Sequence, residues 1–174
     1  MKRIEIDFVV PGLLKAVWEA WTTLDAVKRF FAPSANIALR PGGHHEMLFR
    51  PEAPMGLQGG EGCTVLAFRP MEMLTFTWSA PPQWPEIRKE RTVVVVQLYD
   101  LDKSGTRVTL SHLGFGEGRG WDEVYYYFTK SRPVVLGRLK DRFVKGAMDW
   151  TAVQRASEAQ AQNEAAKKGA NDGR

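Results

Sequence analysis

Thr106-Arg-Val-Thr-Leu-Ser-His-Leu-Gly-Phe-Gly-Glu-Gly-Arg-Gly-Trp121, together with the run that continues to Phe143, decides the fold. Thr106, Val108, Leu110 and His112 alternate with Arg107, Thr109 and Ser111, so they share one face of a strand. Gly114 to Gly120 follows as a glycine-rich loop. Trp121, Tyr125, Phe128, Val135, Leu136, Leu139 and Phe143 then recur near i, i+4, i+7, i+14, i+15, i+18 and i+22, one face of a long helix. A single C-terminal helix with so much aromatic surface needs a concave sheet to lie in. That pairing predicts a cavity between helix and sheet.

Upstream, Ile4, Ile6, Phe8 and Val10 alternate with Glu5 and Asp7, a half-buried strand that Pro11-Gly12 ends. Leu13, Leu14, Val17, Trp18 and Trp21 follow a helical period. Thr22-Thr-Leu-Asp25 reads as a capping box that opens a second short helix running to Phe31. Strands are expected at Ala35 to Leu39, His44 to Arg50, Cys63 to Phe68, Leu74 to Trp78 and Arg91 to Tyr99. Pro51 to Gly60 and Ala80 to Pro85 are loops, and Asp102 to Gly105 is a hairpin turn. Short turns between consecutive strands imply an antiparallel, meander-like sheet with helices on one face, an α+β design. Residues 1–150 are expected to form one domain. Residues 151–174, rich in Ala, Gln, Lys and Glu, are expected to form a polar tail, helical or frayed.

The 174 residues include 44% hydrophobic residues, six Trp and nine Phe, ample for one sizeable core. No apolar run approaches the ~20 residues that span a bilayer, and the N-terminus has no secretory pattern. Cys63 is the single cysteine, so it forms no internal disulfide, and a reducing cytoplasm is the plain expectation. The formal net charge of +4 is mild. Its local groups, Arg88-Lys89-Glu90-Arg91 and Arg138 to Lys145, contain acids, which reads as solvated faces and argues against a nucleic-acid partner.

Five phrases, in this order, resemble the START-like helix-grip (START/Bet v-like, or SRPBCC) superfamily. They are Val17-Trp-Glu-Ala-Trp-Thr22, Leu39-Arg-Pro-Gly-Gly43, Phe68-Arg-Pro-Met-Glu-Met-Leu-Thr-Phe-Thr-Trp78, Leu110-Ser-His-Leu-Gly-Phe-Gly116 and Val135-Leu-Gly-Arg-Leu-Lys140. Within the superfamily they resemble the group named for the activator of the 90-kDa heat-shock chaperone ATPase. The resemblance implies an antiparallel sheet wrapped around a long C-terminal helix, with two short helices after the first strand. It also implies a chaperone partner and a stress-response role. The fold alone implies no single activity, because the superfamily hosts carriers, receptors and cyclases. Where the group has a Trp about four residues before the Val-Leu pair, this chain has Arg132.

Arg132 falls on the apolar stripe, i+4 from Phe128, and a cation there costs several kcal/mol unless paired. Three fates are open to it: clamping an anionic head in the cavity, pairing with Asp122 or Glu123, or being swung to the surface by a kink at Pro133. His112 ends the key strand on its apolar face, as a handle for a ligand or as a histidine satisfied by backbone. His44 and His45 point to opposite faces, and His45 inward would share its face with Met47 and Phe49. No metal-ligand spacing appears, and neither a metal nor a cofactor is expected. The glycine loop lacks phosphate-loop spacing and reads as a connector or gate.

The candidate ligand-binding residues are Trp18, Trp21, Phe31, His45, Met47, Phe49, Trp78, His112, Trp121, Tyr125, Phe128 and Arg132. Their mixture of apolar rings and polar tips suits a small, largely apolar or amphipathic organic molecule, including an anionic one. The alternatives are a chaperone-ATPase-activating interaction module and a cyclase- or hydrolase-like enzyme using His112 or Glu46 as base. An edge strand and the Trp84 loop leave room for a homodimer.

Overall fold

The alternation of the first strand places it at the edge of a twisted sheet. The computed structural model of the chain describes residues 2–171. β1 (Ile4–Val10) is followed by α1 (Leu14–Thr22), the one-turn α2 (Leu24–Val27), β2 (Ser34–Ile37) and β3 (His45–Leu48). Then come β4 (Val65–Arg69), β5 (Met73–Trp78), β6 (Thr92–Asp100), β7 (Thr106–Leu113), α3 (Arg119–Val144) and α4 (Trp150–Asn171). Five strands form an antiparallel sheet in the order β1-β7-β6-β5-β4. The first strand thus closes on the last, with Ile6 opposite Leu110 and Phe8 opposite Val108.

Period-two burial fixes which face of the sheet looks inward. Leu74, Phe76 and Trp78 on β5, Val94, Val96 and Leu98 on β6, and Val108, Leu110 and His112 on β7 are all buried. α3 lies over that face with Trp121, Val124, Phe128, Arg132, Leu136 and Leu139 buried, and it continues through Pro133. Burying such large side chains contributes roughly 1.5–3 kcal/mol each before entropy is counted. No helix among the described residues is long and apolar enough to cross a membrane.

Several local expectations are corrected. The strands do not form one continuous meander: β2 and β3 pair with each other, the bridge His44–Thr64 just before β3 and β4 links them toward the main sheet, and Leu48–Gly59 ties β3 to the loop that follows it. Gly59 has φ +152°, and a Cβ there would sit 2.5 Å from the Met47 carbonyl oxygen, so this close approach of the loop to β3 requires glycine. The capping box is absent, because the Thr22 and Thr23 hydroxyls donate backwards to the Trp18 and Glu19 carbonyls of α1. Leu13 caps α1 and is exposed rather than on its buried face. α2 ends at Val27, and a turn on the Val27 carbonyl then tucks Phe30 and Phe31 into the core.

His45 is fully buried at the centre of this packing. Its Nε2–H donates to the Trp21 carbonyl oxygen at 3.1 Å, and its ring lies 4.1 Å from that of Phe76. Burial drives its pKa down to about 4, against the pull of backbone hydrogen bonds to Trp21 and to His45 itself. The unfolded chain therefore binds more protons between pH 6.5 and about 4, and stability is lost as pH falls through that window. At full development the loss is on the order of 3 kcal/mol. Thermal unfolding should show Tm dropping by roughly 10 °C from this source. A His45→Gln variant should show a shallower fall across the same window; an unchanged slope would refute the assignment.

Candidate functional site

Three strand ends and the middle of α3 converge. The register puts Trp78, the last residue of β5, directly across from Thr92, the first of β6. His112 stands beside them on β7, paired with Val94. Its ring lies 4.6 Å from that of Phe115 and 4.7 Å from that of Phe128. Phe115, the one aromatic in the glycine-rich loop, is buried and meets Tyr125 edge-on at 5.1 Å, so it pins the loop down. Gly116 lies flat on the Trp121 indole, where a Cβ would come within 2.4 Å.

A directed chain of hydrogen bonds runs through these residues. Arg132 Nε donates to His112 Nδ1 at 3.3 Å, so Nδ1 carries the lone pair. The imidazole proton is therefore on Nε2, 2.8 Å from Thr92 Oγ1, which accepts it. The Thr92 hydroxyl donates onward to the Trp78 carbonyl at 3.2 Å. His112 is neutral at pH 7, because burial first, and the Arg132 charge second, push its pKa well below the ordinary value. With both ring nitrogens engaged, it serves to position Arg132.

Arg132 itself is only 2% exposed. Its guanidinium carbon sits 4.5 Å from the Trp78 ring centroid and 5.1 Å from that of Phe128, and these cation–π contacts offset part of its desolvation. Burial lowers its pKa to about 9, so it remains charged at neutral pH. The carboxylates one helix segment away are already engaged: Asp122 with Lys2, Glu123 with Arg119 and the Trp84 indole. Nη2 has no hydrogen-bond partner among the described residues.

Arg132 is among the residues lining a cavity of about 580 Å³ between α3, the end of β5 and the loop after β3. Five of the sequence candidates line it: Phe31, Phe49, Trp78, Phe128 and Arg132. The others do not. Trp21, His45 and Met47 are core residues, and Trp18 packs on Phe68 at 6.5 Å. Trp121 and Tyr125 pack on Phe115, and His112 touches Arg132 without lining the cavity. Glu46 is occupied by the Gly62 amide and the Asn36 side chain. No three His, Cys, Asp or Glu side chains among the described residues are grouped to hold a metal.

The cavity has a braced wall. Arg88 donates to the Ala80 and Gly59 carbonyls, 2.6 Å each, and pairs with Glu61 at 2.6 Å. Burial tends to raise the Glu61 pKa, but the Gln58 and Gly59 amides, its own backbone amide and the Arg88 charge lower it overall. Arg88 and the half-buried Arg138, another lining residue, correct the reading of both basic groups as wholly solvated faces. Thr92, Arg88 and Arg138 are the site residues that sequence reasoning missed. Only their neighbours across strands and loops distinguish them from ordinary surface residues.

A family model described as Activator of Hsp90 ATPase homolog 1-like protein matches residues 14–143. No curated protein matches the chain. Among solved structures, a protein of Mesorhizobium loti is similar with a TM-score of 0.66 at 18% identity, covering 84% of this chain and 100% of that one. Aha1 from Colwellia psychrerythraea, a dimer in its solution structure, gives 0.63 at 21% identity over 84% of this chain and 98% of its own. CalU16 from Micromonospora echinospora gives 0.60 at 20% identity over 94% and 86%. At these identities the likeness shows the fold.

The hydrogen-bond chain predicts one tautomer. Nitrogen-15 NMR should find His112 neutral with its proton on Nε2 and without titration between pH 8 and 6. Thr92→Val removes the acceptor for that proton and should destabilise the protein by about 1–3 kcal/mol. A protonated or Nδ1–H imidazole would overturn the network.

Proposed function

The chain belongs to the Activator of Hsp90 ATPase homolog 1-like family, and from that membership we propose that it binds a small amphipathic molecule, anionic at one end, in the cavity between α3 and the sheet. The observation that carries this reading is a charged, buried arginine among the cavity-lining residues, its Nη2 left without a hydrogen-bond partner among the described residues. A native fold does not keep such a group without a reason, since an uncompensated buried charge costs several kcal/mol. With Nε committed to His112, the guanidinium has its end-on fork of Nη groups left to offer, the match for two oxygens of a carboxylate. Phe31, Phe49, Trp78 and Phe128 supply the apolar surround for the body of the ligand. The volume is in the range of small-molecule sites. His, Asp and Glu are absent from the described lining residues, which favours binding over acid–base catalysis. The buried free thiol of Cys63 suits a reducing cytoplasm.

The test is thermal unfolding with aromatic acids and their primary amides as a matched panel. An acid at about 100 times its Kd should add about 2.7 kcal/mol of stability, and its amide far less. Arg132→Met removes the charge at similar volume. It should leave Tm unchanged or raised while abolishing the preference for acids. Equal shifts by acid and amide, or a preference that survives in Arg132→Met, would discard the clamp.

A second reading follows the family's name: an interaction module that stimulates a chaperone ATPase, alone or as a homodimer. It is favoured by an open, mostly apolar groove on the outer side of α3, lined by Trp84, Tyr126, Tyr127, Lys130 and Val134. Under this reading, added protein should raise the ATPase rate of a 90-kDa heat-shock chaperone, and Tyr126→Ser should blunt the effect. No rate change at saturating protein would dismiss it.

A further inference from the structure

The cavity holds more positive charge than one anionic head requires. Its described lining residues include Arg50, Arg132 and Arg138 and no carboxylate. We propose that the ligand is a dianion, with one anionic group seated on Arg132 and a second held by Arg138 at the rim. This inference rests on the cavity-binding reading above and adds the chemical class of the ligand.

Arg138 is prepared for that role by its surroundings. It is half-buried, and its guanidinium carbon lies 5.4 Å from the centre of the Trp150 ring. Trp150 is itself anchored, its indole donating to the Lys28 carbonyl at 2.6 Å. Burial lowers the Arg138 pKa, as expected for a cation that has lost water without gaining an anion. Asp141, three residues further along α3, is engaged with Lys145 at 3.1 Å. Arg50 contributes less, being exposed and turned onto the Leu57 carbonyl at 3.4 Å.

Six residues of helix separate Arg132 from Arg138, about 9 Å along the axis. Phe128 and Val135 line the cavity from the same helix, and the Trp78 ring faces them from β5. With Arg138 also turned about 120° around the helix axis, the ligand class that fits is an apolar, ring-containing body with anionic groups at opposite ends, on the order of 10 Å apart. A one-headed acid would leave the Arg138 charge facing the cavity unanswered. A site lined with cations and no anions also draws a dianion faster than a monoanion, in a salt-dependent way.

The test is calorimetric titration of the full chain with biphenyl-4-carboxylate and biphenyl-4,4′-dicarboxylate. The dicarboxylate should bind about fivefold tighter or better at low salt, the scale of one well-placed rim ion pair. Raising the ionic strength should shrink that advantage. Arg138→Gln should weaken the dicarboxylate several-fold more than the monocarboxylate and so erase its advantage; Arg138→Lys should keep most of the preference. Equal affinities in the native protein, or an Arg138→Gln variant that weakens both acids alike, would overturn the rim site while leaving the Arg132 clamp standing. If neither acid binds, or both bind Arg132→Met as tightly as the native protein, the clamp and the rim site fall together.

Discussion

A charged guanidinium in the middle of an apolar helix face is the constraint around which the site is arranged. Arg132 occupies a position that its neighbours one and two turns away, Phe128, Leu136 and Leu139, reserve for apolar packing. Its charge is tolerated because three things act together. Nε has an acceptor in His112, two aromatic rings contact the guanidinium, and the side chain is among those lining a cavity. None of these is a counter-ion. The arrangement lowers the cost of burial without removing it.

The rest of the site follows from keeping that cation in one place. His112 accepts from Arg132 only as the Nε2–H tautomer, and that tautomer needs an acceptor. Thr92 supplies it and passes its own proton to the carbonyl of Trp78, whose ring contacts Arg132 from another side. A loop from strand end to guanidinium is thereby closed through three strands and one helix. Opposite, Arg88 and Glu61 tie the Gly59 loop to Ala80, so the far wall is also fixed. Rigid walls lower the entropy that binding would otherwise have to overcome.

Much of this was legible in the chain itself. The stripe from Trp121 to Phe143 announced the long helix, and the alternation through His112 announced the strand beneath it. The same periodicity put Arg132 on the apolar stripe but left open whether it turned inward, paired with an acid or was swung out at Pro133. Less legible were the break between β3 and β4 and the backward hydroxyl bonds of Thr22 and Thr23. Those depend on which carbonyl lies within reach, and sequence spacing does not specify that. Of twelve residues expected near a ligand, the hydrophobic ones divided between core and cavity. Both environments reward the same side chains, so composition cannot separate them.

By itself the sequence determined the family, the order of the elements, the inward face of the first and last strands and the presence of a misfit cation on α3. Periodicity and local phrases carry those facts, and both are local properties of the chain. Only the tertiary structure decided that Arg132 meets His112 and two rings instead of Asp122 or Glu123. It alone showed that Thr92 orients the imidazole and that Arg138, six residues on, faces the same cavity. The pairings of Arg132 with His112 and Trp78, and of His112 with Thr92, join residues 20 or more positions apart, and their geometry exists only once the sheet has closed around the helix.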